Sequence, residues 1–219
     1  MTNARSIGSS PTTLLGCDTT ESLSAAQYKQ LGALGFRWIA RYVPYSGQAA
    51  SVGIQADEVQ SCLSGGMGLF LVQFARPSTW SAQAGRDDGE LAASCARGLG
   101  LPVTTGLCVD MDVAPSEAVA IDYLNGWSAG AIAGGQDENA LCVYFEPGVP
   151  ISSDDRFTKL PQFHRYWQTA ANSLTVATRG ECVRQLWPGN RTVAQNVLID
   201  YDVAQVDYLG GTLNAAFSD

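Results

Sequence analysis

Short apolar runs alternate along the chain with stretches whose apolar residues recur at helical spacing, the pattern of an α/β protein built on a parallel sheet. Leu14 to Asp18 predicts a first strand. Ser24, followed three residues later by Gln27, makes a capping box, and Tyr28, Leu31 and Leu34 continue a helix that Gly35 ends. Phe36 to Val43 is a second strand, rich in aromatic and β-branched residues. Asp57 to Leu63 reads as a helix with acids in its first turn, and Gly68 to Phe74 as an almost continuously apolar strand buried on both faces. A third helix is expected from Asp87 to Arg97, a strand from Gly106 to Asp112, a helix opened by Pro115-Ser116-Glu117, and a fifth strand from Ala140 to Phe145.

After Pro147 the periodicity weakens. Tyr166 to Ala170, Val183 to Trp187 and Val197 to Tyr201 read as three more strands with short or absent helices between them. Eight strands over 219 residues suit a closed (β/α)₈ barrel of the TIM type with short helices in its C-terminal third. An open doubly wound sheet would carry a Gly-rich phosphate turn after its first strand, whereas Gly16-Cys17-Asp18-Thr19-Thr20 follows Leu15 here. The expected organisation is a flexible segment over 1–13 and a single α/β domain over 14–219.

Composition narrows the partners. Hydrophobic residues make up 46% of the chain, enough for a full core, and charged residues only 16%, against about 25% in an average soluble protein. Thirteen Lys and Arg against 21 Asp and Glu leave a net charge of -8, which argues against nucleic acid and anionic membranes as partners. No apolar stretch approaches the ~20 residues of a bilayer span. Met1 to Leu15 lacks the apolar centre of a signal peptide, so export by another route, an intracellular location and a presequence outside this chain all stay open. Six cysteines, at 17, 62, 95, 108, 142 and 182, include no C-x-x-C pair, and His164 is the single histidine, which weakens a zinc reading. Cys17, Cys108 and Cys142 lie in strands and read as buried thiols; Cys62 and Cys95 are the candidate disulfide. Oligomeric state is open.

The informative feature is where acids fall. Asp18 ends strand one, Asp110 and Asp112 end strand four, Glu146 follows strand five, and Asp200 and Asp202 end strand eight. In a parallel barrel all carboxyl ends open on one face, the face where active sites are built. Asp110 and Asp112 are two residues apart, so both side chains share a face, with Cα atoms about 6.5–7 Å apart. Carboxylates crowded into one concave site raise each other's pKa, and one then holds the proton that a general acid needs. Glycoside hydrolysis uses such a pair. Any one of these acids also suits a helix cap, Asp18 before Thr19-Thr20 and Asp112 before Val113-Ala114-Pro115 among them. Tyr42, Tyr144 and Trp187 lie at strand ends and are candidate sugar platforms. Arg41 could bind substrate, neutralise a carboxylate or form a plain salt bridge.

These strand-end motifs resemble a known group, the glycoside-hydrolase-like family called domain of unknown function 1906, a relative of the family 25 lysozymes. The matching pieces are Gly16-Cys17-Asp18-Thr19, Ala40-Arg41-Tyr42, Gly65-Gly66-Met67-Gly68-Leu69, Val109-Asp110-Met111-Asp112, Val143-Tyr144, Gln185 with Trp187, and Ile199-Asp200-Tyr201-Asp202. The resemblance implies a TIM-like barrel with a carboxylate-lined groove and a peptidoglycan-like or other amino-sugar substrate, hence an exported or envelope-directed protein. Where the lysozymes carry Asp-x-Glu, with Glu as proton donor, this chain has Asp112, one methylene shorter. The leading expectation is a glycoside hydrolase without cofactor. In it Asp112 donates the proton, Asp110 is its partner, Asp18 and Glu146 support or replace them, and Asp200, Asp202, Tyr42, Arg41, Tyr144, Gln185 and Trp187 hold a glycan. The alternatives are a catalytically silent barrel that binds a glycan or a protein, and a metal-assisted hydrolase with Asp18, Asp110, Asp112 and Asp200 around Mg²⁺ or Ca²⁺.

Overall fold

The computed structural model describes residues 1–169, 181–186, 191–193, 196–204 and 212–218. Strand β1 (Thr2–Ser6) is followed by β2 (Leu15–Thr19), α1 (Ala25–Ala33), β3 (Trp38–Val43), α2 (Ala56–Ser64), β4 (Gly68–Phe74), α3 (Ala82–Gly98), β5 (Leu107–Met111), α4 (Glu117–Ala133) and β6 (Leu141–Phe145). Helix α5 (Ser153–Thr158) and strands β7 (Arg165–Thr169), β8 (Val183–Gln185), β9 (Arg191–Val193), β10 (Val197–Ala204) and β11 (Asn214–Ser218) complete the described elements. Ser24 and Gln27 form the expected capping box at α1. Helix α3 starts earlier than its acids suggested, because the Ser81 hydroxyl accepts from the Ala84 N–H and caps the first turn.

Eight strands close into a barrel in the order β4-β3-β2-β10-β8-β7-β6-β5, with β5 pairing back onto β4. Seven are parallel and one is not. β10 runs antiparallel to both β2 and β8, setting Asp200 opposite Asp18 and Asp202 opposite Gly16 and Gln185. Asp200 and Asp202 therefore do not end a parallel eighth strand, as the sequence suggested; they enter the mouth from a strand descending into it. Only residues 186–196, with β9 among them, separate β8 from β10. That is too little chain for the crossover a parallel return requires.

Segment 1–13, expected as flexible, holds β1, which pairs with β11 along its whole length, and β11 in turn bridges to β4. Ile7, Leu213 and Ala215 join the core inside the barrel and close its amino-terminal end. Side chains alternate strictly. Trp38, Phe70, Val72, Cys108, Cys142 and Trp167 fill the interior, while Ile39, Leu69, Leu71, Val109, Val143 and Tyr166 face the helices. Gly16 lies against the Trp38 indole, which a Cβ there would meet at 2.1 Å. All six cysteines are free thiols, so Cys62 and Cys95 form no disulfide.

Helices α3 and α4 cross with their backbones in contact. Cβ atoms added at Gly85, Gly89, Gly126 and Gly130 would lie 2.0, 1.9, 2.0 and 2.0 Å from backbone oxygens of the facing helix. Overpacking so close a contact costs about 1–3 kcal/mol or more. Gly89→Ala is therefore expected to lower the thermal midpoint by at least ~3 °C. Gly98→Ala, at a helical position with open space around it, is expected to leave it unchanged or raised, and calorimetry of the two variants checks this.

Candidate active site

The carboxyl ends of the parallel strands open into a cavity of about 350 Å³. Asp18, Asp110, Asp112, Glu146 and Asp200 line it, as do Tyr42, Tyr144 and Gln185. Each is an inward position of its strand or follows directly on one. Asp202 lies just beneath, fully buried, its Oδ1 accepting from the Trp167 indole N–H at 3.0 Å. Arg41 is on the other face of β3. It pairs with Glu58 of α2 at 2.9 Å, donates to the Thr19 carbonyl, and is 1% exposed, so the plain salt bridge is the reading that holds. Trp187 lies outside the described residues. Unforeseen in the wall are Glu21, Phe74, Trp167 and Thr169. Phe74, Trp167 and Thr169 could have been found by extending the two-residue alternation of β4 and β7 to their last inward positions. The start of β10, extending past the end of β2, adds Leu198 and Ile199, and its Leu198 carbonyl accepts from the Thr19 hydroxyl at 2.7 Å.

One hydrogen-bonded arc joins most of the acids. The Tyr42 hydroxyl donates to Asp110 Oδ2 at 3.0 Å and lies 3.5 Å from Asp18 Oδ1. Gln185 Nε2 donates to Asp18 Oδ2 at 3.1 Å, its Oε1 lies 3.0 Å from the Tyr144 hydroxyl, and that hydroxyl also contacts Glu146. Tyr42 stacks on Phe74 with centroids 4.4 Å apart, and Tyr144 meets Trp167 edge-on at 5.0 Å.

No Lys, Arg or His is among the described lining residues. Burial, and then the charge of Asp112, push the Asp110 carboxyl well above the ordinary carboxylate range. Burial and the charge of Asp18 do the same to Asp202. Asp18, 4% exposed, is pushed up to about 7 by burial and the charge of Asp200, against the opposing bonds from Gln185 and Tyr42. Among the described residues, Asp110 Oδ1 and Asp202 Oδ2 are buried without a hydrogen-bond donor. Their carboxylate neighbours are Asp112 and Asp18, so a hydrogen bond across either pair requires a shared proton. Among the described residues no group of three or more His, Cys, Asp or Glu side chains is arranged to hold a metal ion.

A carboxyl whose pKa rises on folding binds more protons in the native than in the unfolded state at intermediate pH. Its stabilising contribution is full below the unfolded value near 4 and is lost as pH rises through the folded value. Asp18, Asp110 and Asp202 share this sign. Asp202→Asn keeps an acceptor for Trp167 and supplies an N–H toward Asp18, mimicking the protonated acid. Thermal melts are expected to show the variant at least ~2 °C more stable than the parent at pH 8 and equal to it at pH 5; an equal gain at both pH values would contradict the protonation argument.

The barrel has counterparts among solved structures. The Tat-secreted protein Rv2525c of Mycobacterium tuberculosis, in complex with L-tartrate, superposes with a TM-score of 0.67 at 17% identity, over 91% of this chain and 98% of that one. GHIP, a glycosyl hydrolase 25 of Streptococcus pneumoniae, superposes at 0.61 with 10% identity, over 89% and 88%. The modular autolysin LytC of Streptococcus pneumoniae, in complex with a synthetic peptidoglycan ligand, superposes at 0.63 with 10% identity, over 87% of this chain and 46% of that one. At these identities the likeness establishes a common irregular TIM-like barrel. No curated protein matches the chain in sequence. Residues 29–206, by contrast, match the family described as Rv2525c-like, glycoside hydrolase-like domain, and the chain belongs to that family.

Proposed function

We propose that this protein is a glycoside hydrolase that cleaves an amino-sugar polymer such as peptidoglycan by carboxylate acid/base catalysis. The observation that carries the reading is the Asp110–Asp112 pair at the mouth. Asp110 is 4% exposed and pushed up in pKa, with one oxygen lacking a donor among the described residues, while Asp112 is exposed at the rim of the same cavity. Such a pair holds a proton near neutral pH, and its outer member is the one a glycosidic oxygen can reach. Asp112 is accordingly the donor and Asp110 the inner partner that keeps the pair protonated and stabilises the oxocarbenium-like state. Asp18, Asp200 and Asp202 set the charge and bind sugar hydroxyls. Glu146, held against Tyr144, is the alternative acid.

The half-buried rings of Tyr42 and Phe74 in the wall suit the edge of a pyranose ring. Support also comes from the shared fold with a glycosyl hydrolase 25 and with an autolysin solved with a peptidoglycan ligand. The secretion of Rv2525c supports a site of action outside the cytoplasm, and no helix among the described residues is long and apolar enough to cross a membrane.

Incubation with purified peptidoglycan and with chitin oligomers, reading new reducing ends, tests the proposal. Turnover is expected from the parent protein. Asp112→Asn and Asp110→Asn are each expected to lose at least ~10²-fold, the usual worth of a general acid, with a smaller loss in Glu146→Gln. A larger loss in Glu146→Gln would move the donor to Glu146. Binding of every polymer without any product would establish the silent barrel instead.

A further inference from the structure

Three contacts run in one line along the wall, from β2 through β8 to the end of β6. Gln185 Nε2 lies 3.1 Å from Asp18 Oδ2, Gln185 Oε1 lies 3.0 Å from the Tyr144 hydroxyl, and that hydroxyl also meets Glu146 Oε2. Asp18 and Tyr144 are 4% and 5% exposed, so they depend on these protein partners more than on bulk water.

The protons along the line can be counted. A tyrosine hydroxyl has one proton to give, while an ionised carboxylate and an amide oxygen only accept. As the amide stands, its N–H is donated to Asp18 and the Tyr144 proton goes to Gln185 Oε1. The contact of Tyr144 with Glu146 is then a hydrogen bond only when Glu146 brings a proton of its own. After a half-turn of the amide, Nε2 donates to the Tyr144 oxygen and Tyr144 donates to an ionised Glu146. Oε1 then faces Asp18, and it is Asp18 that must bring the proton. With both carboxyls ionised, one of the three contacts is always acceptor against acceptor, and a buried acceptor left in that state is destabilising.

From this count we infer that Gln185 is a positioning residue that makes the protonation of Asp18 and Glu146 complementary: one proton serves both, and the sense of the amide fixes which carboxyl holds it. The catalytic meaning of the couple rests on the reading of the mouth as a glycosidase site. With the amide N–H turned to Asp18, β2 presents an anion that stabilises positive charge on the sugar, and Glu146 is an acid; the half-turn exchanges the two roles. The other titratable groups facing the line are Tyr42 of β3, Asp110 and Asp112 at the end of β5, and Asp200 and Asp202 of β10. They act on Asp18 by charge and by hydrogen bonds of their own, whereas the link to Glu146 passes through Gln185 and Tyr144, so cutting the line separates the two.

The test is a double-mutant comparison on the full, unliganded chain, following the ¹³C carboxyl signal of Asp18 with pH. Glu146→Gln gives Tyr144 a neutral partner that can donate, so Asp18 no longer has to supply the proton, and its proton affinity is expected to fall at least about tenfold. In Gln185→Leu the line is cut, and adding Glu146→Gln is expected to change the Asp18 affinity by less than about twofold. An equal fall in both backgrounds would mean that charge alone couples the two acids, and no fall in the parent would mean that nothing does; either result overturns the inference. Tyr144→Phe cuts the line at its next link and provides the same comparison if Gln185→Leu fails to fold. The outcome is separable from the hydrolase reading, because the titration needs no turnover. Coupling without cleavage of any polymer would sink hydrolysis alone, whereas cleavage without coupling would sink this inference alone.

Discussion

A carboxylate withdrawn from water needs a cation, a set of hydrogen-bond donors or a proton. At the mouth of this barrel the described side chains offer a few neutral donors and no cation. The closed sheet makes the problem acute, because Asp18, Asp110 and Asp202 sit on inward positions where the barrel wall excludes solvent. What remains is protonation, and the pattern of raised pKa values around Asp18, Asp110 and Asp202 is its direct consequence.

The arginines show that this is a matter of placement rather than of overall shortage. Arg41 is one residue from Tyr42, yet strand alternation sends it through the opposite face to meet Glu58, which also accepts from Tyr28. Arg76 leaves the end of β4 and grips the fully buried Asp88 of α3, where the Tyr123 hydroxyl and the Ser46 N–H converge as well. These outer ion pairs fasten the segments that follow β3 and β4 to the helix layer. Their charges are satisfied there, on the far side of a packed sheet from the acids. The Gly-lined contact of α3 with α4 brings Tyr123 and Asp88 within reach of each other. Helix packing, mouth geometry and site electrostatics are thus successive effects of the same alternation.

Much of this was legible from sequence. Continuous apolar runs such as Gly68 to Phe74 mark strands buried on both faces, and seven of the eight barrel strands run as that pattern implies. Asp18, Asp110, Asp112 and Glu146 converge because parallel strands present their carboxyl ends together. The direction of β10 was not legible from its own residues, since Val197 to Tyr201 alternates identically in either sense; the short span from β8 carried that information. The same gap misplaced the origin of Asp200 and Asp202 without removing them from the site. The sequence left three roles open for Arg41, and the parity of its position on β3, which turns it toward Glu58 and away from Tyr42, decides for the salt bridge. The strand at Thr2–Ser6 was missed because its stability comes from pairing with β11 at the far end of the chain, a contact no local window contains.

The central claim is that the mouth acids hold protons at neutral pH, and carbon-detected NMR titration of ¹³C-labelled aspartate side chains, assigned with Asn variants, measures it directly. The account predicts that Asp18 titrates with a midpoint near 7 and that the Asp110 and Asp202 carboxyls remain protonated well above the ordinary range. Midpoints below 5 for all three would contradict it.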